Sequence, residues 1–369
     1  MTTNLYVDVH LLQDVPPANL NRDETGSPKS ARYGGVDRLR VSSQAWKRAT
    51  RLAFAESMSK DSLGLRTRRV QETVSDALVA AGVPSENASA ITTELLKQIG
   101  ITASKKKDAE TSYLLFFSRP QVAQLATLVA ERPTMWATPT ELAKQIDVKG
   151  LLGHGHSLDV ALFGRMVADL PEINVDAACQ VSHALSTHAA PTQFDYFTAV
   201  DDAQADTEPG AGMIGTVEFN AATVYRYATV NVPELISNMD DKPSALAGLE
   251  TFLRSFTLSM PTGKQNTFAA HTRPGLVWFV VREDQPVNYV SAFERPVQAG
   301  MSGYLAGSID ALARFVNGET ARWGDVPTAM AASYGVEDEQ LREAFGPSLT
   351  FEQAIGATLR AVDVALGDA

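Results

Sequence analysis

The segment Leu5 to Leu11 puts Leu5, Val7, Val9 and Leu11 on one side of an extended chain and Tyr6, Asp8 and His10 on the other. That period of two predicts a half-buried β-strand and is incompatible with an amphipathic helix. The stretch Pro16 to Gly35 is polar and broken by Gly and Pro, too irregular for an element and long for a connector. Loops of that length in compact domains are usually functional or disordered. Ser42-Ser43 is then a good N-cap pair and predicts a helix to about Met58. On it Gln44, Lys47, Arg48 and Arg51 fall at i, i+3, i+4 and i+7 and share one face. Ala45, Ala49, Leu52 and Ala53 form a separate apolar stripe that can be buried.

From Arg69 to about Ile146 the pattern is helical. Val70, Val74, Leu78 and Val79 give one helix, Ala90 to Ile99 another and Val122 to Glu131 a third, with Lys105-Lys106-Lys107 as an exposed loop. This block reads as an insertion. Gly215 to Val232 reads as two alternating strands after the turn signal Pro209-Gly210-Ala211-Gly212. Leu246, Leu249, Phe252, Leu253 and Phe256 space as a helix, and Leu276 to Arg282 is a further strand. The order fits an α+β fold of split βαβ type, an antiparallel sheet with two helices on one face. Such a fold does not assign a function.

Composition narrows the chemistry. A chain of 369 residues with 44% hydrophobic residues can bury a sizeable core without staples. The single cysteine, Cys179, excludes an internal disulfide, a Cys-rich zinc site and a Cys-ligated iron–sulfur cluster. The longest strongly apolar run, Leu276 to Val281, is far short of the ~20 residues that span a bilayer. No apolar signal region precedes Arg22, so the expectation is a soluble, cytoplasmic protein with no membrane partner.

The net charge of −11 argues against a general nucleic-acid coat, but it is unevenly spread. Residues 21–51 carry +5 and the remainder −16. Within that basic window, Gly34-Gly35 permits a tight loop, the helix start offers unpaired N–H groups, and Ser42, Gln44, Lys47, Arg48 and Arg51 supply donors suited to phosphate oxygens. An N-capped amphipathic helix with solvated cations gives the same pattern. Phe194-Asp195-Tyr196-Phe197-Thr198 precedes the Gly-rich turn, where aromatics can either wedge between bases or fill core. Met166, after Gly164-Arg165, has the same two readings. The pairs His154/His156 and His183/His188 lack metal-ligand spacing and read as core or surface histidines. No nucleotide-cofactor or nucleophile-elbow motif is present.

Several ordered segments resemble the CasC backbone subunits of type I-E Cascade, a CRISPR surveillance complex, within the RAMP superfamily. They are Leu20-Asn21-Arg22-Asp23, Gly34-Gly35 to Arg48, Leu162-Phe163-Gly164-Arg165-Met166, Ser182-His183-Ala184 through Thr187-His188, and Asp195 to Asp202. Glu218-Phe219, Val224 to Ala228 and Lys264-Gln265 continue the match in order, to about Phe293. The resemblance implies an RRM-like or ferredoxin-like palm carrying a helical fingers insertion and a thumb β-hairpin. In residue ranges this gives palm 1–68, fingers 69–150, palm return 151–192, thumb 193–225, and palm with C-terminal helices 226–369. It implies a non-catalytic scaffold that polymerises along a CRISPR guide RNA, kinks it and presents its bases to target DNA, alongside other Cascade subunits and without a cofactor or metal. Carried over as RNA-binding are Arg22, Lys29, Arg38, Ser42, Gln44, Lys47, Arg48 and Arg51, with Met166, Phe197 and Thr198 as the wedge. The family's Lys cluster for target DNA is thin here: Thr140 to Gly150 offers only Lys144 and Lys149, with Lys105, Lys106 and Lys107 as a substitute. Gly-Gly-Val-Asp also resembles the loop of type III relatives whose Asp cleaves target RNA. That leaves a metal-dependent ribonuclease using Asp37 as the alternative to Asp37 pairing with Arg38 or Arg40.

Overall fold

A computed structural model describes residues 4–101, 103–104, 107–111, 114–167, 170–198, 214–324, 326–335 and 338–367. The chain forms two compact units: residues 1–53, 181–229 and 252–369, and residues 54–180 and 230–251.

The first unit is built on the predicted α+β plan. Four strands run in the spatial order Leu276–Arg282, Tyr6–Ala18, Ile214–Asn231, Ala184–Ser186. In chain order these are the fourth, first, third and second strands, the arrangement of a split βαβ sheet. The helix Ser43–Ser57 lies in sequence between the first and second, and Lys242–Leu258 between the third and fourth. Ala329–Tyr334 extends one edge antiparallel to Leu276–Arg282, and a hairpin of Val36–Val41 and Ser30–Tyr33 extends the other.

Three expectations are corrected. The N-terminal strand is not half-buried: it runs from Tyr6 to Ala18, and Asp8 and His10 are as fully buried as Val7 and Val9. Its polar side chains are held by partners far away in sequence. Tyr227 donates to Asp8 Oδ1 at 3.0 Å, the Val287 N–H donates to Oδ2 at 2.9 Å, and Arg282 Nε stands 3.4 Å from Oδ2. His10 Nδ1 bonds the Tyr225 hydroxyl at 2.8 Å. Burial outweighs these contacts and pushes the Asp8 carboxyl up to about 6, while it holds His10 well below the usual histidine range. Second, the stretch before Gly35 is structured: an Arg22–Pro28 bridge leads into the hairpin. Third, Gly215 to Val232 is one continuous strand, Ile214–Asn231, followed by the helix Val232–Met239.

The second unit contains the helices Val70–Ala80, Ser85–Gln98 and Arg119–Ala130, close to the predicted positions, around a core that includes Val74, Leu78, Ile91, Leu95 and Val129. A short antiparallel pair, Gly64–Thr67 and Leu115–Ser118, belongs to it. Among the described residues no helix is long and apolar enough to cross a membrane.

The hairpin turn is where glycine is needed most. Gly34 and Gly35 both have positive φ, +59° and +81°, as a two-residue type I′ turn requires. A Cβ on Gly34 would overlap the Glu294 carbonyl oxygen, whereas one on Gly35 would meet nothing. Gly34→Ala is therefore expected to destabilise the protein by about 3 kcal/mol or more, and Gly35→Ala by only about 1–2 kcal/mol. Urea denaturation midpoints of the two variants check this. Equal shifts would contradict the close approach.

Candidate nucleic-acid interface

The basic helix starts as its capping residues dictate. Ser42 Oγ accepts the Ala45 N–H at 3.2 Å, and the Ser42 N–H donates to Asn21 Oδ1 at 2.9 Å. The Ser43 N–H donates to His183 Nδ1 at 3.0 Å, so the neutral imidazole carries its proton on Nε2. Desolvation, then Arg40 and Lys29, hold His183 below the usual histidine range. His183 is thus the surface residue expected, with a capping role that its spacing from His188 did not suggest.

The helix is fixed to the sheet by Arg226, which is 1% exposed. Its guanidinium lies 3.7 Å from the centroid of the Trp46 ring and 4.8 Å from that of Phe256. It donates to Gln13 Oε1 at 2.6 Å, to the Thr257 carbonyl at 3.4 Å and to the Phe256 carbonyl. Trp46 and Thr50 therefore face inward, and the stripe expected to be buried divides. Ala49 is largely covered, but Leu52 is 52% exposed.

Ala45, Arg48, Ala49 and Leu52 form one wall of a cleft of about 670 Å³ within the first unit. The loop Leu20–Gly26 and the turn Met260–Lys264 complete it. Asp23 Oδ1 organises the loop by accepting from the Thr25 and Ser27 N–H groups and the Thr25 hydroxyl, which keeps its carboxyl below the usual range. Gly263 packs so closely on the Asn19 and Leu20 carbonyl oxygens that no Cβ fits there. Lys264 follows in the left-handed region, at φ +49°. Arg22, Arg48 and Lys264 bring positive charge to this cleft, beside Asp23 and Glu24.

The predicted residues separate on the structure. Arg22, Gln44 and Arg48 are exposed, while Lys29, Lys47 and Arg51 are half-buried. Ser42 is 5% exposed and spends its hydroxyl on the cap. Arg38 is a correction. It is fully buried and donates to the carbonyls of Tyr33, Ser186, Phe293 and Glu294, so it ties the hairpin down and presents no donor to a phosphate. Neither neighbour turns to Asp37 as expected, since Arg38 is so engaged and Arg40 Nε donates to the Ser30 carbonyl. The Asp37 side chain is exposed.

The strand Gln193–Thr198 is exposed at every position, and Phe197 lies over Gly215 of the paired strand, where a Cβ would overlap its ring. Residues 199–213, with the rest of the predicted turn, lie outside the described residues. In the second unit Met166 is 87% exposed. Lys105 and Lys106 lie outside the described residues, Lys107 begins the short strand Lys107–Thr111, and Lys144 is paired with Glu141 at 2.8 Å. His156 is buried against Gln121 and His188 is stacked on Tyr304, as core histidines. Among the described residues no group of three or more His, Cys, Asp or Glu side chains could hold a metal ion. Sequence reasoning did not assign Lys264 to the site. The available signal was a Gly-Lys pair in a turn before a short helix.

The α+β fold has clear relatives. The chain belongs to the CT1975-like protein family, whose model matches residues 7–357. Among solved structures, a chain of "CRISPR RNA-guided surveillance complex, pre-nicking" is 31% identical, with a TM-score of 0.83 over 96% of this chain and 99% of that chain. A chain of "CRISPR RNA-guided surveillance complex" is 28% identical, with a TM-score of 0.74 over 96% and 99%. No curated protein matches.

Arg226 should be irreplaceable by lysine, because an ammonium cannot both cover the Trp46 ring and reach several acceptors. Arg226→Lys is expected to cost about 2–4 kcal/mol in urea denaturation and to speed amide exchange in the first turns of helix Ser43–Ser57. Unchanged exchange in that helix would refute the clamp.

Proposed function

We propose that this protein is a CRISPR RNA-binding backbone subunit of a Cascade surveillance complex, and specifically a CasC subunit of type I-E. The observation that carries the reading is the near-full-length likeness to chains of CRISPR RNA-guided surveillance complexes. The basic helix and cleft support it, since Arg22, Arg48 and Lys264 offer donors to phosphate oxygens. On this reading guide RNA follows Arg22, Lys29, Gln44, Lys47, Arg48 and Arg51, with Lys264 added from the cleft. Further copies of the subunit join along the same RNA, and the other Cascade subunits complete the assembly. The strand Gln193–Thr198 is the stem of the thumb, residues 69–150 form the fingers, and Met166 with Phe197 and Thr198 wedges the guide. Target DNA is read by base pairing to the presented guide, so the subunit acts as a template holder in the cytoplasm.

Backbone contacts of this kind are sequence-blind and salt-dependent. Expression with a CRISPR array and neighbouring genes should yield protein that retains a discrete RNA of guide length in a large assembly. Absorbance at 260 and 280 nm with a denaturing gel reads this. Lys47→Ala/Arg51→Ala should lower the dependence of log affinity on log salt by about 1.4, at about 0.7 per lost contact to a single strand. Asp37→Ala should leave RNA retention unchanged. Clean monomeric protein under both expression conditions would overturn the proposal. Magnesium-dependent cleavage of target RNA that Asp37→Ala abolishes would replace it with the ribonuclease reading.

A further inference from the structure

We propose that Asp8 and His10 form a two-sided proton lock on the segment from Val287 to Glu294, and that this segment in turn holds the hairpin of Ser30–Tyr33 and Val36–Val41 in place. Both side chains are fully buried on one face of the first strand.

Three hydrogen bonds fasten the segment to that face. The Val287 N–H donates to Asp8 Oδ2 at 2.9 Å, the Tyr289 N–H donates to the Tyr225 hydroxyl at 3.1 Å, and Arg282 Nη2 donates to the Tyr289 hydroxyl at 2.8 Å. The Tyr225 oxygen thus receives one proton and gives its own to His10 Nδ1 at 2.8 Å, so the imidazole is neutral with its proton on Nε2. The His10 ring lies 4.6 Å from that of Trp278 and 5.3 Å from that of Tyr289, centroid to centroid. A second proton, on Nδ1, would face the hydroxyl that now donates to it.

The far end of the segment reaches the hairpin. Arg38 Nη2 donates to the Phe293 carbonyl at 2.8 Å and to the Glu294 carbonyl at 3.3 Å. Gly34 lies so close to the Glu294 carbonyl that no Cβ fits between them. Lifting the segment therefore removes two of the four carbonyls that hold Arg38 and the surface against which the turn rests.

Few charges share this face. Arg282 Nε stands 3.4 Å from Asp8, and Arg282 Nη1 stands 3.9 Å from the exposed Asp284. Burial holds the Tyr225 and Tyr227 phenols protonated, and the two covering helices, Leu305–Trp323 and Glu339–Phe345, bring the apolar Leu312, Val316 and Phe345. The Asp8 carboxyl, pushed up to about 6 by burial, favours docking at low pH and loses that contribution as pH rises through about 6. His10, held well below the usual range by burial and then by Arg282, favours docking at high pH and loses that contribution as pH falls below about 6.5. The two dependences oppose each other, so either one alone unmasks the other.

The test uses the complete chain. In the wild type the Val287 amide chemical shift should titrate with a midpoint near 6, because its acceptor is the titrating carboxylate. Opening constants for Val287 and Tyr289, from amide exchange corrected for its intrinsic pH dependence, should change by no more than about threefold between pH 7 and pH 5. Asp8→Asn leaves His10 acting alone, and the same acidification should raise opening about 25-fold. His10→Gln leaves Asp8 acting alone, and acidification should lower opening about tenfold. The amides of Ser30–Tyr33 should follow with the same sign in each variant. A Val287 shift that stays flat between pH 5 and pH 7, or variants with parallel pH profiles, would overturn the lock. Hairpin amides with a level profile in both variants would overturn the link to the hairpin.

Discussion

The basic helix has its orientation because of one buried cation. Arg226 lies within the first unit with no carboxylate against it among the described residues, and burial pulls its guanidinium down to about 9. A charge so placed is tolerable only when its protons meet acceptors and its face meets a ring. Gln13, Phe256, Thr257 and Trp46 supply these from the first strand, the helix Lys242–Leu258 and the basic helix itself. A helix pinned at Trp46 cannot roll. A roll of one residue, about 100° at 3.6 residues per turn, would turn Arg48 from the cleft. The donors are therefore held in place before any ligand arrives, which reduces the ordering that binding must oppose.

Arg38 does the equivalent work for the hairpin. Four backbone carbonyls from three chain segments converge on it, and Gly34 clears the space beside Glu294 that lets the turn come close. Asn21 and His183 then cap the helix start from two further segments. Beside the helix, the Leu20–Gly26 loop and the hairpin are each fixed by a side chain, Asp23 and Arg38, whose partners are mainly backbone groups. That form of support ties down backbone that surface loops usually leave mobile.

Local chemistry was legible in the sequence, and long-range pairing was not. Helix Ser43–Ser57 could be read because its cap and its 3.6-residue spacing are written within fifteen residues. The buried strand Leu276–Arg282 could be read from its apolar run. Asp8 and His10 were placed on an open face because nothing nearby reveals Tyr225, Tyr227 and Arg282, more than 200 residues away. Arg38 and Arg48 look alike as basic residues of one window, but Arg38 is turned inward by its place on the strand Val36–Val41 and Arg48 outward by its face of the helix Ser43–Ser57.

In the first unit, Arg22, Arg48 and Lys264 offer charge to an anion in an open, solvated cleft, so their contribution weakens as added salt lowers the gain from releasing the anion's condensed counterions. Elsewhere the chain is acidic, at −16 outside residues 21–51, so affinity for a polyanion has to be local.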